Sequence, residues 1–236
     1  GPNESSPYRI HGSGGGIFNH QAASTIANCT FVNNKATQYT GGGGAIYVHG
    51  VNAPTIINCA FFNNEAMGSG GTHGGAIHSY SSNPKITNCV FSGNRADGYG
   101  GALFVNGGSW DDEASITNCT FYNNNLNETT AIYTANSAHP KITNCIFWGD
   151  TTGVGPQIYA DSISLAVVNF SDVQFGTSGN KFGVGSGIIE SDPLFLDPAN
   201  GDFHLSPSSP CVDTGYNAGV PAGVANDFDG DSRIVN

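Results

Sequence analysis

Hydrophobic and polar positions alternate along this chain in short bursts, and the bursts repeat. In Ile116-Thr117-Asn118-Cys119-Thr120-Phe121, apolar side chains flank an Asn-Cys pair. The unit recurs at Ile26–Phe31, Ile56–Phe61, Ile86–Phe91 and Ile142–Phe147 and decays into Val167-Val168-Asn169-Phe170. Taken as one column, Asn28, Asn58, Asn88, Asn118, Asn144 and Asn169 are spaced by 30, 30, 30, 26 and 25 residues. Upstream of these units lies a second burst, at Gly43-Gly44-Ala45-Ile46-Tyr47, Gly74-Gly75-Ala76-Ile77-His78 and Gly100-Gly101-Ala102-Leu103-Phe104. Degenerate copies stand at Gly15-Gly16-Ile17-Phe18, Thr130-Ala131-Ile132-Tyr133 and Pro156-Gln157-Ile158-Tyr159. A fixed period marks a solenoid, whose repeats complete their cores only by stacking on neighbours. Runs this short, β-branched, aromatic and broken by glycine read as strands, so each repeat is a β-coil.

Strand alternation then assigns faces. Ile46, Ile77, Leu103, Ile132 and Ile158 form one inward column, and Val48, Ser79, Val105, Thr134 and Ala160 a second. Ile116, Cys119, Phe121 and their equivalents point inward, with the asparagine at a sharp bend. Asparagine suits that place because it tolerates the left-handed backbone and its amide can bond the asparagine of the next coil. The phenylalanines stack as an aromatic spine. Asn34, Asn64, Asn94 and Asn124 form a further ladder, followed by Lys35, Glu65, Arg95 and Asn125, whose charges alternate. Five of the six cysteines share one repeat position. In-register thiols about 4.8 Å apart point the same way and leave their Cβ atoms too distant for unstrained disulfides. A column of free thiols is expected, with Cys211 outside it as a buried small hydrophobe or as a partner for a displaced Cys145.

The 236 residues divide into a lead-in segment, 1–14, repeats over 15–175 and a C-terminal capping segment, 176–236. The last contains edge-strand patterns, Ser191–Pro198 and Gly201–Pro207, that suit covering the open end of a solenoid. Net charge is −11, from 7 basic and 18 acidic residues, which disfavours nucleic acid and anionic lipid. No run of about 20 apolar residues exists to span a bilayer. Gly1-Pro2-Asn3-Glu4 is unlike a signal peptide and fits the start of a trimmed secreted protein or, equally, of a fragment of a longer chain.

The paired elements Gly74–Ile77 and Phe61–Asn64 resemble the repeats of chlamydial polymorphic outer-membrane proteins and of other secreted right-handed parallel β-helix proteins. The asparagine column is similar to the ladder of pectate-lyase-like β-helices. The segment from Asp192-Pro193-Leu194-Phe195 through Ser209–Gly215 to Asp227–Asp231 resembles the terminal module that precedes cell-surface anchors in many bacterial β-helix proteins. The resemblance implies an all-β, right-handed parallel β-helix of about six coils with a C-terminal cap, secreted or at a bacterial cell surface. It does not fix an activity, since this fold carries adhesins, lyases, hydrolases and structural proteins alike.

Candidate chemistry lies on the outer face of the first strand. Phe18, Tyr47, His78, Phe104, Tyr133 and Tyr159 share one position, and His20, His49, Tyr80, Asn106, Ala135 and Asp161 lie two residues on. Such a row of rings could stack the sugars of an extended glycan; alternatively, glycine-rich turns fold over the rings and bury them, or the face meets another copy. Enzyme readings need particular groups. The Gly-His-Gly and Arg-x-Lys elements of polygalacturonase-like sites are missing, because His11-Gly12 and Thr72-His73-Gly74 lack partners. Lys85 and Lys141 share a column about 10 Å apart, near the loop carboxylates Asp111, Asp112 and Glu113, a sparse set for a lyase. Asp227, Asp229 and Asp231 around Gly230 resemble half of a calcium loop, without the terminal glutamate, and could instead make an Asp-Gly turn pinned by Arg233. Residues 1–14 lack a capping helix pattern, so the first coil's edge is expected to meet another copy's end segment, a head-to-tail contact that propagates into a fibre. The expected role is noncatalytic, in adhesion, glycan contact or self-associating structure; the alternative is an enzyme acting on an acidic polysaccharide.

Overall fold

The computed structural model describes residues 14–37, 42–68, 71–107, 113–124, 130–149, 156–176 and 181–232. The lead-in segment up to residue 13, together with Asp111, Asp112, Asn125 and Arg233, lies outside them. Three parallel sheets run the length of a β-solenoid. The first is six-stranded, from Ile17–His20 through Ile46–His49, Ile77–Tyr80, Leu103–Asn106 and Ile132–Ala135 to Ile158–Ala160. The second has seven strands, from Thr25–Ala27 to Val167–Asn169 and finally Gly183–Val184, and the third six, from Thr30–Val32 to Asp172–Val173. A short fourth sheet joins Lys35–Ala36, Glu65–Ala66 and Arg95–Ala96. Pairing is in register, so that Ile56 lies beside Ile86 and Phe61 beside Phe91.

Two backbone devices turn the chain at each corner. Asn28, Asn58, Asn88, Asn118 and Asn144 adopt φ between 51° and 56°, the left-handed region that asparagine tolerates. The paired glycines divide the work at the other corner. Gly74 takes φ of 67°, while a Cβ on Gly75 would lie 2.0 Å from the Gly101 carbonyl oxygen in the next rung. The bend does not follow asparagine in the last coil. Val168 pairs with Ile142 and Asn169 with Thr143, so Asn169 stands one place short of the ladder and Phe170, at φ 45°, makes the turn. The paired strands keep their spacing, Ile116 to Ile142 and Ile142 to Val168, so it is the residue at the bend that changes and Asn169 only mimics the ladder in sequence.

The core is a set of columns. Phe31, Phe61, Phe91, Phe121 and Phe147 stack with ring centroids 5.0, 4.7, 4.7 and 4.6 Å apart and planes within 5°. Beside them Cys59, Cys89, Cys119 and Cys145 are buried free thiols, and Cys29 is half-buried. The inner asparagine ladder is more deeply bonded than the corner one. Asn64 donates its backbone N–H to Asn94 Oδ1 at 3.0 Å and its amide to the same oxygen at 2.9 Å and to the Phe31 carbonyl at 3.0 Å. By contrast Lys35 and Glu65, paired at 2.7 Å, keep side chains 51% and 36% exposed and contribute about 0–1 kcal/mol.

After Gly176 the chain does two things. Residues 181–189 lay a partial last rung over the end of the barrel, with Phe182 and Ile188 packed on the core. Residues 190–232 then run back along the flank, over the Asn corner. The antiparallel hairpin Phe195–Asp197 and Asp202–Leu205 is held there by Tyr122 against Phe195 and Phe203. Further along, Tyr216 stacks on Phe170 at 4.6 Å. Cys211 forms no disulfide with Cys145; its thiol donates to Asp172 Oδ2 at 3.1 Å. The flank segment carries Cys211 to the surface of the third sheet, while Cys145 stays in its column.

Phe91→Ala should cost about 3–5 kcal/mol in denaturant unfolding, because a ring leaves a filled column. Asn94→Ala removes the acceptor of two Asn64 donors, each worth about 1–3 kcal/mol when left buried and unbonded. Lys35→Ala should stay below about 1 kcal/mol; a loss equal to that of Phe91→Ala would contradict the ordering.

Candidate functional site

The ring column of the first sheet is assembled as its register demands, but most of it is covered. Tyr47, His78 and Phe104 are 9%, 5% and 3% exposed, and only Phe18, Tyr133 and Tyr159 remain half-exposed. The cover comes from the glycine-rich turns. His73 stacks on Phe104 at 4.4 Å and meets His78 edge-on at 5.9 Å, and Tyr99 stacks on Tyr133 at 4.3 Å. His73 Nδ1 accepts the Tyr99 N–H at 2.9 Å, which fixes the turn. The six rings therefore do not present one continuous open row: three are covered, and Phe18, Tyr133 and Tyr159 keep partial exposure. Burial lowers His78 to about 3, so it is neutral, and neither ring nitrogen has a hydrogen-bond partner. Burial, with Tyr80 second, pushes Tyr47 up to about 12.

The neighbouring column stays closer to solvent. His20 and His49 stack at 4.9 Å and 10°, His49 and Tyr80 at 5.4 Å and 12°. His49 Nδ1 lies 3.0 Å from His20 Nδ1, and its pKa is lowered by burial and then by that neighbour. Rings stacked on one another have their faces occupied and offer edges outward. His49, between His20 and Tyr80, has both faces occupied, and the ring edges of this column can hydrogen-bond a partner.

The lysines considered for base chemistry are also engaged. Glu113 stands between them, accepting Lys85 Nζ on its backbone oxygen at 2.6 Å and Lys141 Nζ on its carboxylate at 2.6 Å.

A second site emerges where the flank segment crosses the Asn corner. It is a groove of about 610 Å³ between the ladder residues Asn88, Asn118 and Asn144 and the hairpin with the Asp227–Asp229 turn. His204, on the hairpin, is set between two carboxylates: Nδ1 is 2.6 Å from Asp202 Oδ1 and Nε2 is 3.3 Å from Asp229 Oδ2. The Asp202 bond first, then Asp229, raises its pKa above the ordinary 6.5. Sequence reading saw Asp202–Leu205 as a strand but not the partner that turns it into a wall of a groove; the alternation Asp-Phe-His-Leu was the available signal.

The calcium reading does not fit the turn. Asp227 Oδ1 is taken by the backbone N–H groups of Asp229 and Asp231 at 3.0 and 2.9 Å, and among the described residues no three His, Cys, Asp or Glu side chains are gathered to hold a cation. Asp227, Asp229 and Asp231 form a self-bonded Asx turn.

With this geometry in view, the comparisons define the class. Residues 8–171 match the family described as right handed beta helix region. The chain belongs to that family. Residues 114–233, spanning the later coils and the flank segment together, match a domain of unknown function (DUF5123). No curated protein matches the chain. No solved structure does either. Among the described residues no helix is long and apolar enough to cross a membrane.

His204 should titrate by NMR above 6.5. Its raised pKa means that the contact stabilises the hairpin fully below the ordinary value and is lost as pH rises through the folded one. Asp202→Asn should bring the midpoint down; an unchanged midpoint would show that the carboxylate is not its cause. Cys211, pushed up to about 12 by burial first and the Asp172 carboxylate second, should alkylate slowly at mildly alkaline pH. Asp172→Asn should speed the reaction, by about tenfold for each unit the thiol falls, and equal rates would contradict the assignment.

Proposed function

We propose that this protein is a noncatalytic extracellular or cell-surface element, a stiff β-helical rod that serves adhesion or scaffolding and associates head to tail. The observation that carries this reading is Glu113, which binds both candidate bases, Lys85 and Lys141, within 2.6 Å. An ammonium already engaged by Glu113, through its backbone oxygen for Lys85 and its carboxylate for Lys141, is poorly placed to reach a substrate proton. The groove at the Asn corner also counts against an enzyme for acidic polysaccharides. Among the described residues its lining includes Asp202, Asp227 and Asp229 but no lysine or arginine, so a polyanion would meet like charge.

The rod reading has further support in how the chain uses its polar groups. Amide, thiol and ring columns are bonded or stacked from rung to rung, leaving a stiff body and few free reactive groups. A stacked solenoid offers edge strands at an end, and a heterologous contact between unlike ends extends into a filament.

Incubated with polygalacturonate and alginate, the protein should release neither unsaturated products nor new reducing ends. Sedimentation should show mass growing with concentration. Product formation that disappears in Lys141→Ala would overturn the noncatalytic reading, and a strictly monomeric profile would remove the assembly.

A further inference from the structure

At the Asn corner the flank segment is hydrogen-bonded to the ladder asparagines of two rungs, and the rung between them meets it through Tyr122, which packs on Phe195 and Phe203. Asn88 Nδ2 donates to the Asn226 carbonyl at 2.8 Å. Asn144 Nδ2 donates to the Tyr216 carbonyl at 3.1 Å, and Asn144 Oδ1 accepts the Tyr216 N–H at 2.8 Å. Between these anchors Asn118 uses its oxygen to accept from Asn144 at 3.2 Å and one amide hydrogen to donate to Asn88 Oδ1 at 3.3 Å. An amide nitrogen carries two donors. Among the described residues the second N–H of Asn118 has no protein acceptor, although the residue is only 7% exposed, and Asn118 lines the groove.

We infer that this groove is a binding site for an uncharged oligosaccharide lying between the flank segment and the Asn corner. Three features select that chemistry. Phe62, Phe203 and Phe228 line the groove together with Asn118, His204 and Asp229, so ring carbon meets donors and acceptors within one cleft. Phe228 is 39% exposed and, among the described residues, lies outside any ring stack. Among the described residues the lining contains no lysine or arginine and carries Asp202, Asp227 and Asp229, which disfavours a polyanion. A wholly apolar ligand would strip water from the Asn118 N–H and the Asp229 carboxylate and replace it with nothing. A sugar chain satisfies both demands, hydroxyls to the amide and carboxylate and C–H faces to the rings.

The site does not depend on self-assembly of the rod. An oligosaccharide bridging hairpin and ladder would also clamp the flank segment to the solenoid, so binding should raise thermal stability by mass action.

The test titrates the full ¹⁵N-labelled chain with cellohexaose, xylohexaose and mannohexaose, and with hexagalacturonate and spermidine as charged comparisons. At least one neutral hexasaccharide should shift the Asn118 side-chain amide saturably and leave that of Asn64, in the inner ladder, in place. Phe228→Ala and Asp229→Asn, both at exposed positions, should weaken that response about tenfold or more while the unliganded melting temperature stays near that of the parent chain. The inference is overturned if none of the three neutral sugars moves Asn118, if both variants bind undiminished, or if spermidine or hexagalacturonate is the preferred ligand.

Discussion

The structure depends on one constraint: each side chain in the wall must tolerate a copy of its own position one strand spacing away, about 4.8 Å above and below. Apolar residues and rings meet that condition easily, since flat rings fill the spacing with parallel faces. Thiols meet it by donating to backbone oxygens, as Cys89 does to the Thr87 carbonyl at 3.2 Å. Amides meet it best, because each carries both a donor and an acceptor and can bond its neighbours on both sides. Charges meet it worst, which is why Lys35 and Glu65 must alternate in sign and sit at the surface.

The same constraint decides where recognition can occur. A column of identical rings consumes its own faces, so the aromatic wealth of the first sheet is structural, and its turns close over Tyr47, His78 and Phe104. In the groove a ring outside the stacks and the Asn118 amide come together where the chain abandons the repeat. The flank segment does this, crossing the Asn corner at two anchor points and leaving Asn118 between them. The proposed binding groove therefore lies at the seam between periodic and aperiodic chain.

The periodic part was readable from sequence because identical spacing forces identical placement. The Ile-x-Asn-Cys-x-Phe unit gave the inward columns, the left-handed corner and the free thiols. Reading failed where spacing and chemistry diverged. Asn169 looks like a rung of the ladder, yet strand pairing sets it beside Thr143 and leaves Phe170 to make the bend. The ring column was legible as a column but not as covered, since burial there depends on His73 and Tyr99 in turns of variable length. The groove was illegible altogether. His204 lies far in sequence from Asn118, and no local pattern states that the hairpin folds back along the flank instead of only closing the end.

The most direct measurement of in-register stacking is a set of through-space NMR contacts in a chain with individually labelled phenylalanines. Phe91 ring protons should contact both Phe61 and Phe121, whose centroids lie 4.7 Å away on either side, and neither Phe31 nor Phe147. Contact of Phe91 with only one of the two neighbours, or with rings two rungs distant, would contradict the account.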